Sequence, residues 1–129
     1  MKLIEVLNAR KVIASKAQAK GVNFGTSFKF MKFIKATDED EKFYNEKRDE
    51  LIKSLAMKDD NGEFVIENNQ YKFTDENFAE INKQLNELAA TEVEIPDKMK
   101  FTEQELDKME FTIEEVAAIY ELLKLDENE

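Results

Sequence analysis

The spacing of apolar and polar positions along this chain changes around residues 57–78. A helical pattern, apolar at Phe43, Tyr44, Leu51, Ile52 and Leu55, stops near Met57. Two short runs, 64–67 and 70–73, then flank Asn68 and Asn69, and Asn tolerates the positive φ that a two-residue hairpin turn requires. Closing on that turn sets Ile66 opposite Tyr71 and Phe64 opposite Phe73, and predicts all four side chains on one face. A two-stranded hairpin is marginal in water, so that face needs a surface to pack on. Beyond it, Phe78, Ile81, Leu85 and Leu88 recur at the spacing of a helix that packs along a narrow seam. This helix is predicted to pair antiparallel with the one over 38–57, with the hairpin at the tip of the pair.

Upstream, Leu3, Val6, Leu7, Ile13, Ala14 and Ala17 predict a helix within 2–20, although the first seven residues also alternate as a strand would. Arg10 falls on the apolar stripe and is expected to snorkel its charge off it. Gly21 reads as the stop. Thr26 or Ser27 then caps a short helix over 28–36, and Thr37 followed by Asp38, Glu39, Asp40 and Glu41 reads as the start of a separate helix, because acids suit a first turn. Downstream, 91–95 reads as an extended segment ending at Pro96, with 98–101 pairing with it or running as loop. Two last helices are predicted over 103–109 and 113–125. The second is apolar around most of its circumference, which implies burial in the domain or at an oligomer interface. The tail, 126–129, is expected to fray.

One device occurs three times. Phe73-Thr74, Phe101-Thr102 and Phe111-Thr112 each place Thr as an N-cap, Phe before it, and an apolar residue (Phe78, Leu106 or Val116) at the fourth helical position, as a hydrophobic staple needs. Glu105 and Glu115 complete capping boxes; Asn77 stands at that position in the first copy. The fold class that follows is mainly α with a small β-hairpin (α+β): a helical pair bearing a hairpin between its helices, packed with N- and C-terminal helices in a single domain over 1–129.

Charge divides that domain into a basic N-terminal segment, 1–36, an acidic body, 37–125, and the short tail. The first 36 residues carry eight Lys or Arg against Glu5, while the remainder holds 11 basic and 28 acidic groups, for a net charge of −10. Such asymmetry points to an anionic partner for the basic segment, or to its meeting the acidic body of its own or a neighbouring copy. Lys29, Lys32 and Lys35 recur every third residue among aromatics, the interleaving that single-stranded nucleic acid or an anionic membrane surface would use. The blander reading makes the aromatics core and the lysines its wet edge.

Catalytic chemistry finds little purchase. The chain has no His and no Cys, which removes the commonest general base and all thiol catalysis. No Ser begins an S-x-x-K arrangement, and three glycines form no phosphate-cradling loop. Aligning Gly62 with the turn glycine of a calcium loop puts Met57 and Asn68 at the two anchoring ligand positions, which neither can fill. No enzyme activity, cofactor or metal is expected. No apolar run approaches the roughly 20 residues of a membrane span, and 1–7 lacks a signal-peptide core, so a cytoplasmic location is expected.

The Lys-rich aromatic helix, the charged helix from Phe43 to Leu55, the turn at 60–63, and Leu85-Asn86-Glu87-Leu88 leading to Thr91-Glu92-Val93-Glu94-Ile95 together resemble a family of small uncharacterised proteins of tailed bacteriophages that infect low-GC Gram-positive bacteria. That family carries no assigned activity or cofactor. The resemblance implies a phage or prophage origin among late genes, action inside the host cell or on the virion, and function by protein contact. The leading expectation is therefore a non-enzymatic interaction protein, a virion or assembly accessory or late-gene regulator, with a phage or host protein, or itself, as partner. An inhibitor of a host or defence protein acting by acidic nucleic-acid mimicry is the second expectation. Binding of nucleic acid or a membrane surface through the basic segment is the third. Candidate interaction residues are Lys29, Lys32 and Lys35, together with Phe64 and Tyr71 on the hairpin.

Overall fold

The computed structural model describes residues 1–124, so the end of the helix expected over 113–125 and the fraying expected of 126–129 lie outside the described residues. Its elements are helices α1 (Leu3–Ala17) and α2 (Phe24–Leu55), strands β1 (Ile66–Glu67) and β2 (Gln70–Tyr71), and helices α3 (Asp75–Ala89), α4 (Glu103–Leu106) and α5 (Ile113–Ala118). Single 3₁₀ turns occur at Asp97–Met99 and Tyr120–Leu122. The mainly helical α+β class with an antiparallel hairpin between helices is as expected. Contacts group into two compact units, Met1–Glu39 with Glu92–Glu129, and Asp40–Thr91. Helix α2 contributes residues to both.

In the first unit, α1 presents Leu3, Val6, Leu7, Arg10 and Ile13 at helical spacing, and all are buried. The alternative of a strand over the first seven residues is therefore excluded; Lys2 instead precedes the helix and donates its backbone N–H to Glu5 Oε1 at 2.8 Å. Val6, Ala9 and Ile13 pack in one core with Phe30 and Phe33 of α2, Phe101, Leu106, Ile119 and Leu122. The segment after α3 is extended as expected, but it pairs with the start of the chain and not with 98–101: Lys2 and Glu92 form an antiparallel bridge. Phe101 instead bridges Leu123 in parallel, donating to Leu122 O and accepting from Lys124 N, each at 2.7 Å. Helix α5 stops at Ala118, well short of the expected end, because the chain turns through Tyr120–Leu122 to make that bridge. Only part of its broad apolar face is covered. Ile119 and Leu122 are buried, whereas Ile113, Val116 and Tyr120 are exposed.

Three expectations about α2 and its surroundings need correction. Residues 28–36 and 38–57 do not form separate helices; α2 runs unbroken for 32 residues, about 48 Å. It begins earlier than expected, since Asn23 Oδ1 accepts from Thr26 N at 2.9 Å and takes the capping role assigned to Thr26 or Ser27. Thr37 is buried within the helix and donates its hydroxyl to Phe33 O at 2.8 Å, a back-bond available to a mid-helical threonine. Arg10 does not snorkel outward. Its guanidinium is buried and donates to Ile34 O, Thr37 Oγ1 and Asp38 Oδ1, each at 2.7 Å. An always-charged group can stay inside only with its donors satisfied, and the turn of α2 around Thr37 supplies acceptors.

The second unit holds the rest of α2, the hairpin and α3. Asn68 and Asn69 adopt φ of 54° and 64°, the paired left-handed conformation of a type I′ turn, and Ile66 pairs with Tyr71 as the spacing predicts. Met57 clips the hairpin's base, donating to Lys72 O at 2.8 Å and accepting from Val65 N at 2.9 Å. In the turn before it, Asp59 Oδ1 accepts from Asn61 N and Glu63 N, so this carboxylate serves its own loop. The expected aromatic face is unevenly covered: Phe64 and Phe73 are half-buried, while Ile66 and Tyr71 are exposed. Helices α2 and α3 run antiparallel here. Asn77 at the start of α3 donates its side-chain N–H to Leu55 O at 3.0 Å, and Gln84 and Leu88 share a cleft with residues further back along α2.

Candidate interaction surfaces

All three Phe-Thr junctions are capped as their spacing predicts. Thr74, Thr102 and Thr112 accept from the backbone N–H of Asn77, Glu105 and Glu115, and both complete capping boxes are present. Phe73 and Phe78 lie with ring centroids 6.5 Å apart across the first junction. The tertiary structure adds a lysine to the other two. Lys29 Nζ stands 2.8 Å from Glu105 Oε1 and 5.2 Å from the Phe101 ring centroid; Lys16 Nζ stands 3.1 Å from Glu115 Oε1 and 4.9 Å from the Phe111 ring centroid. Lys16 and Lys29 thus each contact both the Phe and the Glu of one F-T-x-x-E junction. The basic segment meets the acid-rich end of its own chain.

These contacts set the charge state of the two glutamates. Burial would raise the Glu105 carboxyl, but hydrogen bonds from Lys29 and from the Thr102 N–H and hydroxyl, with the lysine's charge, hold it below the usual carboxylate range. The Glu115 carboxyl is also lowered, first by the Thr112 backbone N–H and then by Lys16.

The lysine ridge therefore divides. A three-residue step retreats about 60° around a helix on each repeat, which turns Lys29 toward Glu105 while Lys32 and Lys35 remain exposed. Among the described residues neither Lys32 nor Lys35 forms an ion pair; Lys32 Nζ lies 4.7 Å from the Phe28 ring centroid. Phe24, Phe28, Met31 and Lys35 share one face of α2. Phe24 is 82% exposed, Phe28 and Met31 are exposed, and the two Phe rings stack at 5.9 Å with planes 16° apart. Phe24 was not singled out from the sequence. Reading Asn23 as the cap would have exposed it, because that choice makes Phe24 the first helical residue, outside the core-facing stripe of Phe30 and Phe33.

In the second unit, Phe64 and Tyr71 come together edge-on with centroids 5.2 Å apart. Phe64 is also under Lys58 Nζ, at 5.2 Å. A separate cleft of about 470 Å³ lies between the two helices, lined by Phe43, Lys47, Glu50, Leu51 and Ser54 of α2 and by Gln84 and Leu88 of α3. Phe43 is about half exposed. This cleft is the second surface that sequence reasoning missed; the a/d spacing predicted the seam but not that part of it would remain open.

Among the described residues no group of three or more acidic side chains is arranged to hold a metal ion, and no helix is long and apolar enough to cross a membrane. No family model matches the chain, and neither does any curated protein or solved structure.

Proposed function

We propose that this chain is a small phage-type interaction protein, a virion or assembly accessory or a late-gene regulator, that works by holding another protein and carries out no reaction of its own. The observation that supports this reading is the thin interior of the second unit. Ala56 and Ile81 are its buried hydrophobic residues, while Phe43, Ile66, Tyr71 and Phe78 are exposed large apolar side chains on the same short stretch of chain. Concentrated exposed apolar surface on a chain that is 37% charged is characteristic of a binding face. Aromatic anchors of this kind dominate the energetics of protein interfaces.

Tagged protein incubated with lysates of uninfected and phage-infected host cells tests the reading, with Phe43→Glu and Tyr71→Glu baits run alongside. A protein retained by the wild type and released by either substitution is expected, a second copy of the chain included. Identical retention by all three baits would overturn the reading, as would turnover of a substrate abolished by a single substitution.

A further inference from the structure

Two surfaces on this chain match one another. The first is the ridge of Phe24, Phe28 and Met31 with Lys32 and Lys35 at its side. It presents two stacked rings, a thioether and two cations without ion-pair partners among the described residues. The second is the cleft of about 470 Å³ between α2 and α3, with Phe43, Leu51 and Leu88 in its walls. Phe24 to Met31 spans about 10 Å of helix and Phe43 to Leu51 about 12 Å, so the two apolar stretches have nearly the same length. Their charges are opposite. Glu50 lines the cleft together with Lys47, which stands 3.4 Å from it and 5.7 Å from the Phe43 ring centroid; Glu46, one helical turn from both Phe43 and Glu50, and Glu80 and Glu87, one turn from Gln84 on the facing helix, add acids beyond that pair. The unit that contains the cleft carries 13 acidic and seven basic residues.

We infer that the cleft of one copy receives the Phe24–Phe28–Met31 ridge of a second copy, with Lys32 and Lys35 set against the acids at its rim. The inference rests on the interaction reading above and names the partner. Because ridge and cleft are different patches, the contact is head-to-tail: it closes if two copies exchange ridges and grows if each copy engages a new one. The apolar stretch supplies the buried contact, and the lysines set its register and speed encounter.

Extended polyanions suit the ridge less well. Asp38, Glu39 and Asp40 follow Lys35 within about 8 Å along α2, inside one Debye length at physiological salt. A strand of nucleic acid or an anionic bilayer engaging the lysines would meet those carboxylates too, on a chain of net charge −10.

Sedimentation equilibrium of the purified protein over a wide concentration range tests the contact. The wild type is expected to show a mass that rises above the monomer with concentration, and Lys32→Glu with Lys35→Glu to weaken association by about tenfold or more. Phe24→Ala with Phe28→Ala removes the ridge and leaves the cleft; Phe43→Glu blocks the cleft and leaves the ridge. Each of these two variants alone is expected to be monomeric, and an equal mixture of them to form a one-to-one complex, because each retains the half the other lacks. Circular dichroism of each variant confirms that the fold is retained. A wild type that stays monomeric throughout overturns the inference, as does a mixture that stays monomeric while both variants are folded. So does a monomeric wild type that binds oligothymidine or phosphatidylserine vesicles through Phe24 and Lys32. A monomeric wild type that still captures another protein through Phe43 or Tyr71 would leave the broader interaction reading standing.

Discussion

Lys29 and Glu105 meet at 2.8 Å although 76 residues separate them, and the lysine that makes this contact also covers the Phe101 ring. Lys16 repeats the arrangement on Glu115 and Phe111. Both glutamates already receive the N–H groups of their capping threonines, so each lysine joins a prearranged carboxylate.

Acid should weaken these junctions in a defined direction. Folding lowers the pKa of Glu105 and Glu115, so their contribution to stability is present above the unfolded carboxylate value of about 4.3 and is lost as pH falls through the lower folded values. Thermal melts of a Glu105→Gln, Glu115→Gln double variant should show a flatter decline below about pH 4.3 than the wild type does. At neutral pH, a double-mutant cycle on Lys29 and Glu105 should give a coupling of about 1 kcal/mol, at the upper end for surface pairs because both partners are partly screened from water.

Arg10 should resist conservative replacement. Its guanidinium serves acceptors on three residues of α2 at once, a forked geometry that an ammonium point charge cannot reproduce. Arg10→Lys should destabilise by about 2 kcal/mol in urea titration, and Arg10→Ala by about 3–5 kcal/mol, since it leaves buried acceptors and Asp38 uncompensated. Amide exchange should quicken around residues 33–38 in both variants.

Asn77 should behave unlike the glutamates at the equivalent junction positions. Its side chain donates to Leu55 O at the end of α2 instead of returning to its own cap. Asn77→Ala should cost about 1 kcal/mol in thermal melts. Asn77→Glu should not restore that loss, because a carboxylate cannot donate to the Leu55 carbonyl even where it completes a capping box.

The hairpin turn should prefer glycine at its second position. With Asn69 at φ 64°, Asn69→Gly relieves a left-handed conformation and should slow amide exchange of Gln70 and Lys72. Asn69→Val places a β-branched residue there and should destabilise by about 1–2 kcal/mol, read by the same exchange rates.

The features decided by the sequence alone are those whose hydrogen bonds close within a few residues. The type I′ turn at Asn68-Asn69, the register of Ile66 on Tyr71, the three threonine caps and the staple of Phe73 on Phe78 all follow from neighbours along the chain. Tertiary structure decided what depended on distant partners. Thr37 and the acids after it carry every local mark of a helix start, yet Thr37 bonds within α2 because Arg10, 27 residues earlier, brings its guanidinium to that turn. The same holds for the lysine ridge. Its three-residue spacing is visible in the sequence, but Glu105 takes Lys29, and the fold leaves Lys32 over the Phe28 ring and Lys35 exposed further along α2. Local spacing limits which groups can face together. Burial and the placement of distant counter-charges determine which of them stay open to solvent, because the cost of desolvating a charge is offset only where a partner stands.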